Sequence, residues 1–159
     1  MTPFDRLLAC GSAARTLTLD FERRCRSRQR VVLDDGSAAI LTLPRGTVLR
    51  DGDILGDADG RTLRICAAAE TTSTAAHAEP GRLLRAAYHL GNRHVPIQIG
   101  PGWLRYRHDH VLDALCRGLG LAVEIAERPF EPEDGAYAGG AHRHSVPDHP
   151  ESAHHHGHG

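Results

Sequence analysis

The order of strand-like and helix-like patterns after residue 70 is the feature that most constrains the fold of this chain. Apolar residues recur at helical spacing in two segments, and short stretches typical of β-strands flank both. Pro80 suits the first turn of the first helix, Gly91 is predicted to end that helix, and Asp109 to cap the second. Strand, helix, strand, strand, helix, strand is the order of a ferredoxin-like domain. The predicted elements are strand 71–76, helix 80–90, strands 95–99 and 103–106, helix 109–119 and strand 121–126.

Each predicted helix carries one apolar stripe that we expect to face the sheet. The stripe gives each helix a buried side, and the polar residues between its members are expected to face water. The predicted stripes are Leu83, Leu84, Ala87 and Leu90 in the first helix, and Val111, Leu112, Leu115 and Leu119 in the second.

The first 68 residues show the pattern of an all-β domain. Short apolar or alternating runs are separated by Asp-Gly steps, which tight turns between strands prefer. Residues 29–43 predict a hairpin, and residues 16–21 predict a strand with Leu17, Leu19 and Phe21 on one face. Closely spaced short strands indicate a small barrel or sandwich. Further strands are predicted at 47–49, 53–55 and 62–65.

Together these patterns predict an α+β chain in three parts. A β-rich domain covers residues 1–68, a ferredoxin-like βαββαβ domain covers residues 69–140, and a disordered His-rich tail covers residues 141–159. One Val and two Ala are the apolar residues of the tail, so it cannot bury enough surface to offset the entropy lost on ordering.

Charge and motifs exclude several classes of function. The chain has 19 basic and 20 acidic residues, a balance that argues against a whole-chain nucleic-acid binder. It contains no apolar run of the roughly 20 residues that a membrane helix needs. Its first residues lack a secretory signal pattern, so we expect a cytoplasmic protein. The H-E-x-x-H, P-loop and Rossmann patterns are absent, and the chain is expected not to be an enzyme.

Histidine is the unusual residue of this composition. Seven of the 12 histidines lie in the tail. Neutral imidazole is a common ligand for nickel, zinc and copper, so a flexible segment with seven of them predicts metal binding without selecting the metal. A solvated tail without function and a purification tag are the alternatives, although prolines and acids interrupt this tail. The tail histidines are His142, His144, His149, His154, His155, His156 and His158.

Three histidines of the predicted folded part are candidate ligands. His94 follows the first helix on a loop and is expected to be exposed, but one imidazole is too few for a metal site. His108 and His110 flank Asp109. An extended backbone would place both imidazoles on one side, where they could bind a metal; otherwise they are solvated histidines at a helix start. Asp109 itself either caps the helix, supports a ligand or binds the metal.

One local basic run stands out in the β-rich part. In a strand, Arg24, Arg26, Arg28 and Arg30 would line one face. Such a face could contact an acidic protein partner or RNA, or it could be a solvated face paired with some of the acids.

Several blocks of the sequence resemble the UreE family of urease accessory proteins, which are nickel metallochaperones. The resemblance extends over nearly the whole chain and includes the His-rich end. The blocks are 83–94 (LLRAAYHLGNRH) with 95–98 (VPIQ), 104–112 (LRYRHDHVL), 129–137 (PFEPEDGAY), 26–28 (RSR) and 43–53 (LPRGTVLRDGD).

The resemblance implies a homodimer that carries Ni(II) and is not an enzyme. Each subunit would have a β domain similar to a peptide-binding domain and a ferredoxin-like domain for metal binding and dimerisation. His94 matches the family histidine that meets its mate at the dimer interface. His108 and His110 match a secondary metal-binding pair, and tail histidines could complete the central site. Delivery would pass through an accessory GTPase to the apo-urease assembly, with no nucleic-acid or membrane partner.

Two alternatives follow from the residues alone. One is a general zinc, copper or nickel buffer, because Zn(II) or Cu(II) may substitute at nitrogen ligands. The other is a peptide- or RNA-binding adaptor in which the His tail is incidental.

Overall fold

Two β-sheets, one after the other along the chain, build the protein in the computed structural model, which describes residues 2–135. The first sheet has six strands, and the second has four strands with two helices packed on it. This confirms the predicted α+β class, with a β domain first and a mixed domain second. The predicted tail, 141–159, lies outside the described residues.

The N-terminal sheet is nearly closed into a barrel, with the strand order β2-β6-β5-β1-β4-β3. Asp34 joins the two outer strands: its N–H donates to the Thr16 carbonyl at 3.0 Å, and its carboxylate accepts from the N–H and hydroxyl of Thr18. Leu41, Leu55 and other apolar side chains fill the interior. The elements are β1 (Phe4–Leu8), β2 (Arg15–Leu19), α1 (Phe21–Arg24), β3 (Arg28–Val32), β4 (Ala38–Thr42), β5 (Ile54–Asp57) and β6 (Thr62–Ala67).

The predicted hairpin is confirmed, since β3 and β4 pair antiparallel. Strand β1 was not predicted, and residues 47–49 form no strand. The predicted strand 16–21 ends at Leu19, because the Asp20 side chain accepts a hydrogen bond from the Arg23 N–H at 2.7 Å and caps α1. Phe21 therefore begins a helix and does not continue the apolar face of a strand.

The predicted arginine face is wrong for the same reason. Arg24 lies in α1 and is fully buried, whereas Arg28 and Arg30 lie exposed on β3. Arg26 falls between the two elements and pairs with Glu22. The helical turn breaks the period-two alternation that would have aligned the four guanidinium groups.

The C-terminal sheet has the antiparallel strand order β10-β7-β9-β8. With one helix after its first strand and one after its third, this is the predicted ferredoxin-like arrangement. None of the helices within residues 2–135 is long and apolar enough to span a membrane. The elements are β7 (Ala69–Ala76), α2 (Pro80–Asn92), β8 (Gln98–Gly100), β9 (Trp103–Arg107), α3 (His110–Gly118) and β10 (Ala122–Pro129).

Each predicted stripe packs on the core of the C-terminal domain except for one member. Leu84 is 71% exposed and Val111 is 53% exposed, although both were placed in the buried stripes. The buried positions are Ala86 and Leu90 in α2 and Asp113 and Cys116 in α3. Leu84 lies two positions before Ala86, and Val111 lies two positions before Asp113, which is about 200° around a helix. Ala86 and Asp113 are therefore buried, although neither was placed in a stripe.

The segment after β10 returns to the N-terminal domain. The buried Arg24 guanidinium donates to the carbonyls of Phe130 and Leu49 and pairs with Glu131. Arg50 Nη1 donates to the Pro132 carbonyl at 2.8 Å. Residues 130–132 therefore attach the end of the C-terminal domain to the first sheet, just before the tail begins.

Candidate functional site

His94 terminates α2 in an unusual backbone conformation. Its φ is 56°, the one positive φ of a non-glycine residue within residues 2–135. The N–H of Val95 donates to the Leu90 carbonyl at 3.2 Å, and the N–H of His94 donates to the Gly91 carbonyl at 2.9 Å. These two bonds form a Schellman motif, with His94 at the position that takes the left-handed conformation. The predicted stop at Gly91 is wrong, because the helix continues to Asn92.

Helix α3 ends in the same motif with the usual residue. The N–H of Leu121 donates to the Cys116 carbonyl at 3.0 Å, and the N–H of Gly120 donates to the Arg117 carbonyl at 2.9 Å. The φ of Gly120 is 86°. Glycine adopts this region freely, whereas a side chain there costs about 1–2 kcal/mol. His94 thus occupies a position that glycine takes in the matched helix end, and such outliers concentrate at functional positions.

An exposed apolar surface on α2 leads to His94. Leu84 is 71% exposed and Tyr88 is 65% exposed. Gly91 is also exposed and follows Tyr88 by three positions. Residues spaced by three and four share one side of a helix, so these three form a surface that we call the outer face of α2. His94 is exposed at the C-terminal end of the same helix, as predicted from its place after the helix.

His108 and His110 flank the start of α3. Between them, Asp109 caps the helix: its Oδ1 accepts from the N–H of Val111 at 2.7 Å and of Leu112 at 3.2 Å. These two backbone hydrogen bonds lower the pKa of Asp109 below its usual value. Of the three roles considered for Asp109, the structure shows the cap. Its backbone is extended, with φ −152° and ψ 123°, and both flanking histidines are exposed.

His108 also belongs to a polar cluster inside the C-terminal domain. Its Nδ1 lies 3.1 Å from Ser73 Oγ and 3.3 Å from Asp113 Oδ2. The other carboxylate oxygen of Asp113 accepts from the Tyr106 hydroxyl at 3.0 Å. Tyr106 is fully buried, and burial raises its pKa, so the phenol keeps its proton. Burial likewise raises the pKa of the Cys116 thiol, whose sulfur neighbours that phenol.

The strand pattern explains how this cluster assembles. Tyr106 and His108 are two positions apart and follow the same side of β9. Ser73 on β7 lies directly opposite Tyr106 in the antiparallel register. Asp113 lies on the buried side of α3, which packs over that side of the sheet. Sequence reasoning missed Ser73 and Asp113. An acidic residue inside an apolar helix segment was the available signal.

A polar cleft of about 610 Å³ opens beside His108. The N-terminal domain contributes Asp20 and Arg23 to its wall, and the C-terminal domain contributes Glu70 and Arg107. Glu70 Oε2 accepts from the Phe21 N–H at 2.9 Å, and Arg107 lies 3.6 Å from the other Glu70 oxygen. His108 therefore borders the junction of the two domains.

The predicted metal ligands fall into three places. His94 lies at the end of α2, and His108 and His110 lie at the start of α3. The seven tail histidines lie outside the described residues. Within residues 2–135 of one chain, no group of three or more His, Cys, Asp or Glu side chains is arranged to hold a metal ion. The predicted ligand set stays a prediction.

Comparisons with known proteins agree across both domains. The family model described as "UreE urease accessory protein, N-terminal domain" matches residues 9–68, and the model for the C-terminal domain of the same family matches residues 70–158. "Urease accessory protein UreE" of Pseudomonas putida (strain GB-1) is 58% identical over 130 residues, covering 81% of this chain and 79% of its own. The protein of the same name from Alkalilimnicola ehrlichii is 53% identical over 139 residues, with 87% and 85% covered. That of Escherichia coli O157:H7 is 52% identical over 131 residues, with 82% and 85% covered. The chain belongs to the UreE family of urease accessory proteins, and it is an accessory protein, not an enzyme.

Proposed function

We propose that this protein is a nickel metallochaperone that binds Ni(II) as a homodimer and delivers it to urease under assembly. The observation that carries the proposal is the left-handed conformation of His94, exposed at the end of α2. A glycine would fit this position without strain, so the strain is expected to be retained for the imidazole. Nickel is the cargo, and His94 is its central ligand.

The outer face of α2 supports the homodimer. Leu84 and Tyr88 expose large apolar surfaces side by side, which is typical of an interaction surface. If the two-fold axis passes near the C-terminal end of α2, a contact made by this face brings two copies of His94 together. Symmetry then supplies two imidazoles from one residue, which answers the objection that a single histidine is no site.

The other histidines have a different role in the proposal. His108 and His110 form a secondary pair, and the seven tail histidines collect ions and pass them to the central site. Neutral imidazoles bind nickel and exchange it, whereas a thiolate cage would retain soft metals. Copper and zinc also bind nitrogen ligands, and by the usual order of affinities copper competes with nickel at such sites. Delivery, and not affinity alone, therefore identifies the cargo.

The domains divide this work. Residues 1–68 dock partner proteins, residues 69–140 dimerise and bind metal, and residues 141–159 hold the reservoir of imidazoles. The partners are the accessory GTPase and the apo-urease assembly, and the place of action is the cytoplasm. No step requires a membrane or a nucleic acid.

Urease activation at limiting nickel tests the proposal. Bacteria that produce urease but lack their own UreE are complemented with this protein, with His94→Ala, or with His89→Ala. His89 is a matched control, because it is an exposed histidine on the same helix. We expect the wild type and His89→Ala to raise urease activity and His94→Ala to fail. Protection against excess zinc or copper without any gain in urease activity would instead identify a general metal buffer.

A further inference from the structure

We propose that Asp113 positions His108 for metal binding by holding the proton of its imidazole on Nδ1, so that Nε2 is the metal ligand. The proposal rests on the function proposed above, in which His108 binds nickel. It adds a positioning residue on α3 that does not itself touch the metal.

The surroundings of Nδ1 set the tautomer. This nitrogen lies 3.1 Å from Ser73 Oγ and 3.3 Å from Asp113 Oδ2. A carboxylate oxygen only accepts hydrogen bonds, and a serine hydroxyl can accept as well. Two oxygens at this distance favour a protonated Nδ1, and a neutral imidazole then carries its lone pair on Nε2. The tautomer of free histidine in water is the opposite one, with the proton mainly on Nε2.

Burial and a hydrogen bond hold in place the Asp113 carboxylate that sets the tautomer of His108. Its side chain is 2% exposed, and its second oxygen accepts from the fully buried Tyr106 hydroxyl at 3.0 Å. The phenol thus orients one oxygen and leaves the other for His108. A buried carboxylate costs free energy unless it is hydrogen-bonded, and an apolar residue would pack well in this core. Tyr106 satisfies one oxygen of Asp113, and His108 is the group that faces the other.

The accessibility of the imidazole is consistent with this role. The His108 side chain is 35% exposed, while Asp113 on its Nδ1 side is buried. Because Nδ1 faces the buried Asp113, we infer that Nε2 is the ring nitrogen on the exposed side. His108 also lines the polar cleft between the domains. In metalloproteins, histidine ligands generally donate their other N–H to a carboxylate, carbonyl or water, which orients the ring and raises its basicity.

Nitrogen NMR of the metal-free, full-length protein tests the tautomer without any variant. Long-range correlations between the ring protons and nitrogens distinguish a protonated Nδ1 from a protonated Nε2. We expect His108 to carry its proton on Nδ1. A proton on Nε2 in the wild type would overturn the proposal, whatever the protein does with nickel.

Variants then test whether Asp113 is the cause. Asp113→Leu should return His108 to the tautomer of free histidine, and Asp113→Asn should preserve Nδ1–H because its amide oxygen still accepts. Tyr106→Phe is the matched control, since it disturbs the same core without removing the oxygen that faces His108. If all three variants keep Nδ1–H, Asp113 does not position the ring. If Asp113→Leu does not fold, Asp113→Ala removes the same carboxylate, and a His108 that keeps Nδ1–H in that variant contradicts the assignment.

Nickel(II) titration completes the test. The titrated protein carries serine at the seven tail histidines and His94→Gly, so that binding at His108 and His110 is measured alone. Asp113→Leu should weaken nickel binding by about 10–100-fold, the usual effect of losing such a partner, and Asp113→Asn by much less. Equal affinities in all variants would overturn the positioning role. If nickel does not bind at His108 even with Asp113 present, the secondary site of the proposed function fails, whereas the NMR result still shows whether the tautomer is fixed.

Discussion

Replacing His94 by glycine should change stability and nickel binding in opposite directions. Without metal, His94→Gly removes a side chain from a backbone whose φ is 56°. The relief of about 1–2 kcal/mol is partly offset by the greater freedom of glycine in the unfolded chain, about 0.4–1 kcal/mol. The net expectation is a gain of about 0.5–1 kcal/mol, or about 2–4 °C in Tm at the upper value. His94→Ala keeps the strain and should gain nothing.

With nickel the order should reverse. A ligand raises stability only where it binds the folded state better than the unfolded state, by about 2.7 kcal/mol at 100 times its Kd. The tail is predicted from its sequence to be disordered, so its imidazoles are expected to bind nickel alike in both states and to add little to this difference. A site built from two copies of His94 exists only in the folded dimer. Saturating nickel should therefore raise the Tm of the wild type above that of both His94→Gly and His94→Ala.

The assay is a pair of melting curves for each protein, one with a chelator and one with nickel. Urea unfolding with the chelator gives the free-energy difference between the glycine and alanine variants. A glycine variant that is no more stable than the alanine variant would refute the strain at position 94. A nickel-induced rise in Tm that survives in both variants would refute His94 as the ligand that couples nickel to folding.

Three further perturbations follow from the geometry. Leu84→Glu should convert the proposed dimer to a monomer in light scattering. Val32→Glu is the control and should not, because Val32 is 65% exposed but lies in the N-terminal domain. Equal masses of the two variants would show that the outer face of α2 does not form the interface. Asp109→Ala should lower Tm at pH 7. Because backbone hydrogen bonds lower the folded pKa of this carboxylate, the difference should begin to shrink near its unfolded pKa of about 4 and be lost as pH falls through the lower folded pKa. A constant difference down to pH 2 would contradict that assignment. Arg24→Met should lower the free energy of unfolding in urea by about 2–3 kcal/mol, because Glu131 and two backbone carbonyls lose the guanidinium that donates to them. An unchanged urea midpoint would show that this contact does not hold residues 130–132.

The arrangement of the C-terminal domain was predictable because its signals agree at several levels. Helical spacing, Pro80 at the start of α2 and Asp109 at the cap of α3 all indicate the same elements. The strand order then follows from the ferredoxin-like pattern. The extent of each buried helix face was not predictable from apolar spacing, because Leu84 and Val111 extend each stripe beyond the face that the sheet covers.

Local hydrogen bonds explain the errors in the N-terminal domain. The alternating residues at 16–21 predict one strand, but the Asp20 side chain accepts a hydrogen bond from the Arg23 N–H and caps the start of α1. Arg24 then turns inward, where it meets carbonyls of residues far away in the chain. Partners so distant in the chain cannot be predicted from the local residue pattern.

The sequence likewise predicted only part of the candidate site. The high histidine content and the two histidines beside Asp109 were visible in the sequence. The exposure of His94 followed from its place after a helix. The left-handed conformation was not visible, because Gly91 offered a more ordinary helix end. Asp113 was missed because its partners, Tyr106 and His108, meet it only when α3 packs on the sheet.

Mass determination during a nickel titration tests the central claim most directly. The full-length chain with serine at its seven tail histidines is compared with the same chain carrying His94→Gly. We expect both to have twice the mass of one chain, which is 17.3 kDa before the substitutions. The first should retain one tightly bound nickel per dimer that the second has lost. A monomeric mass, or equal nickel binding with and without His94, would contradict a nickel site shared by two chains.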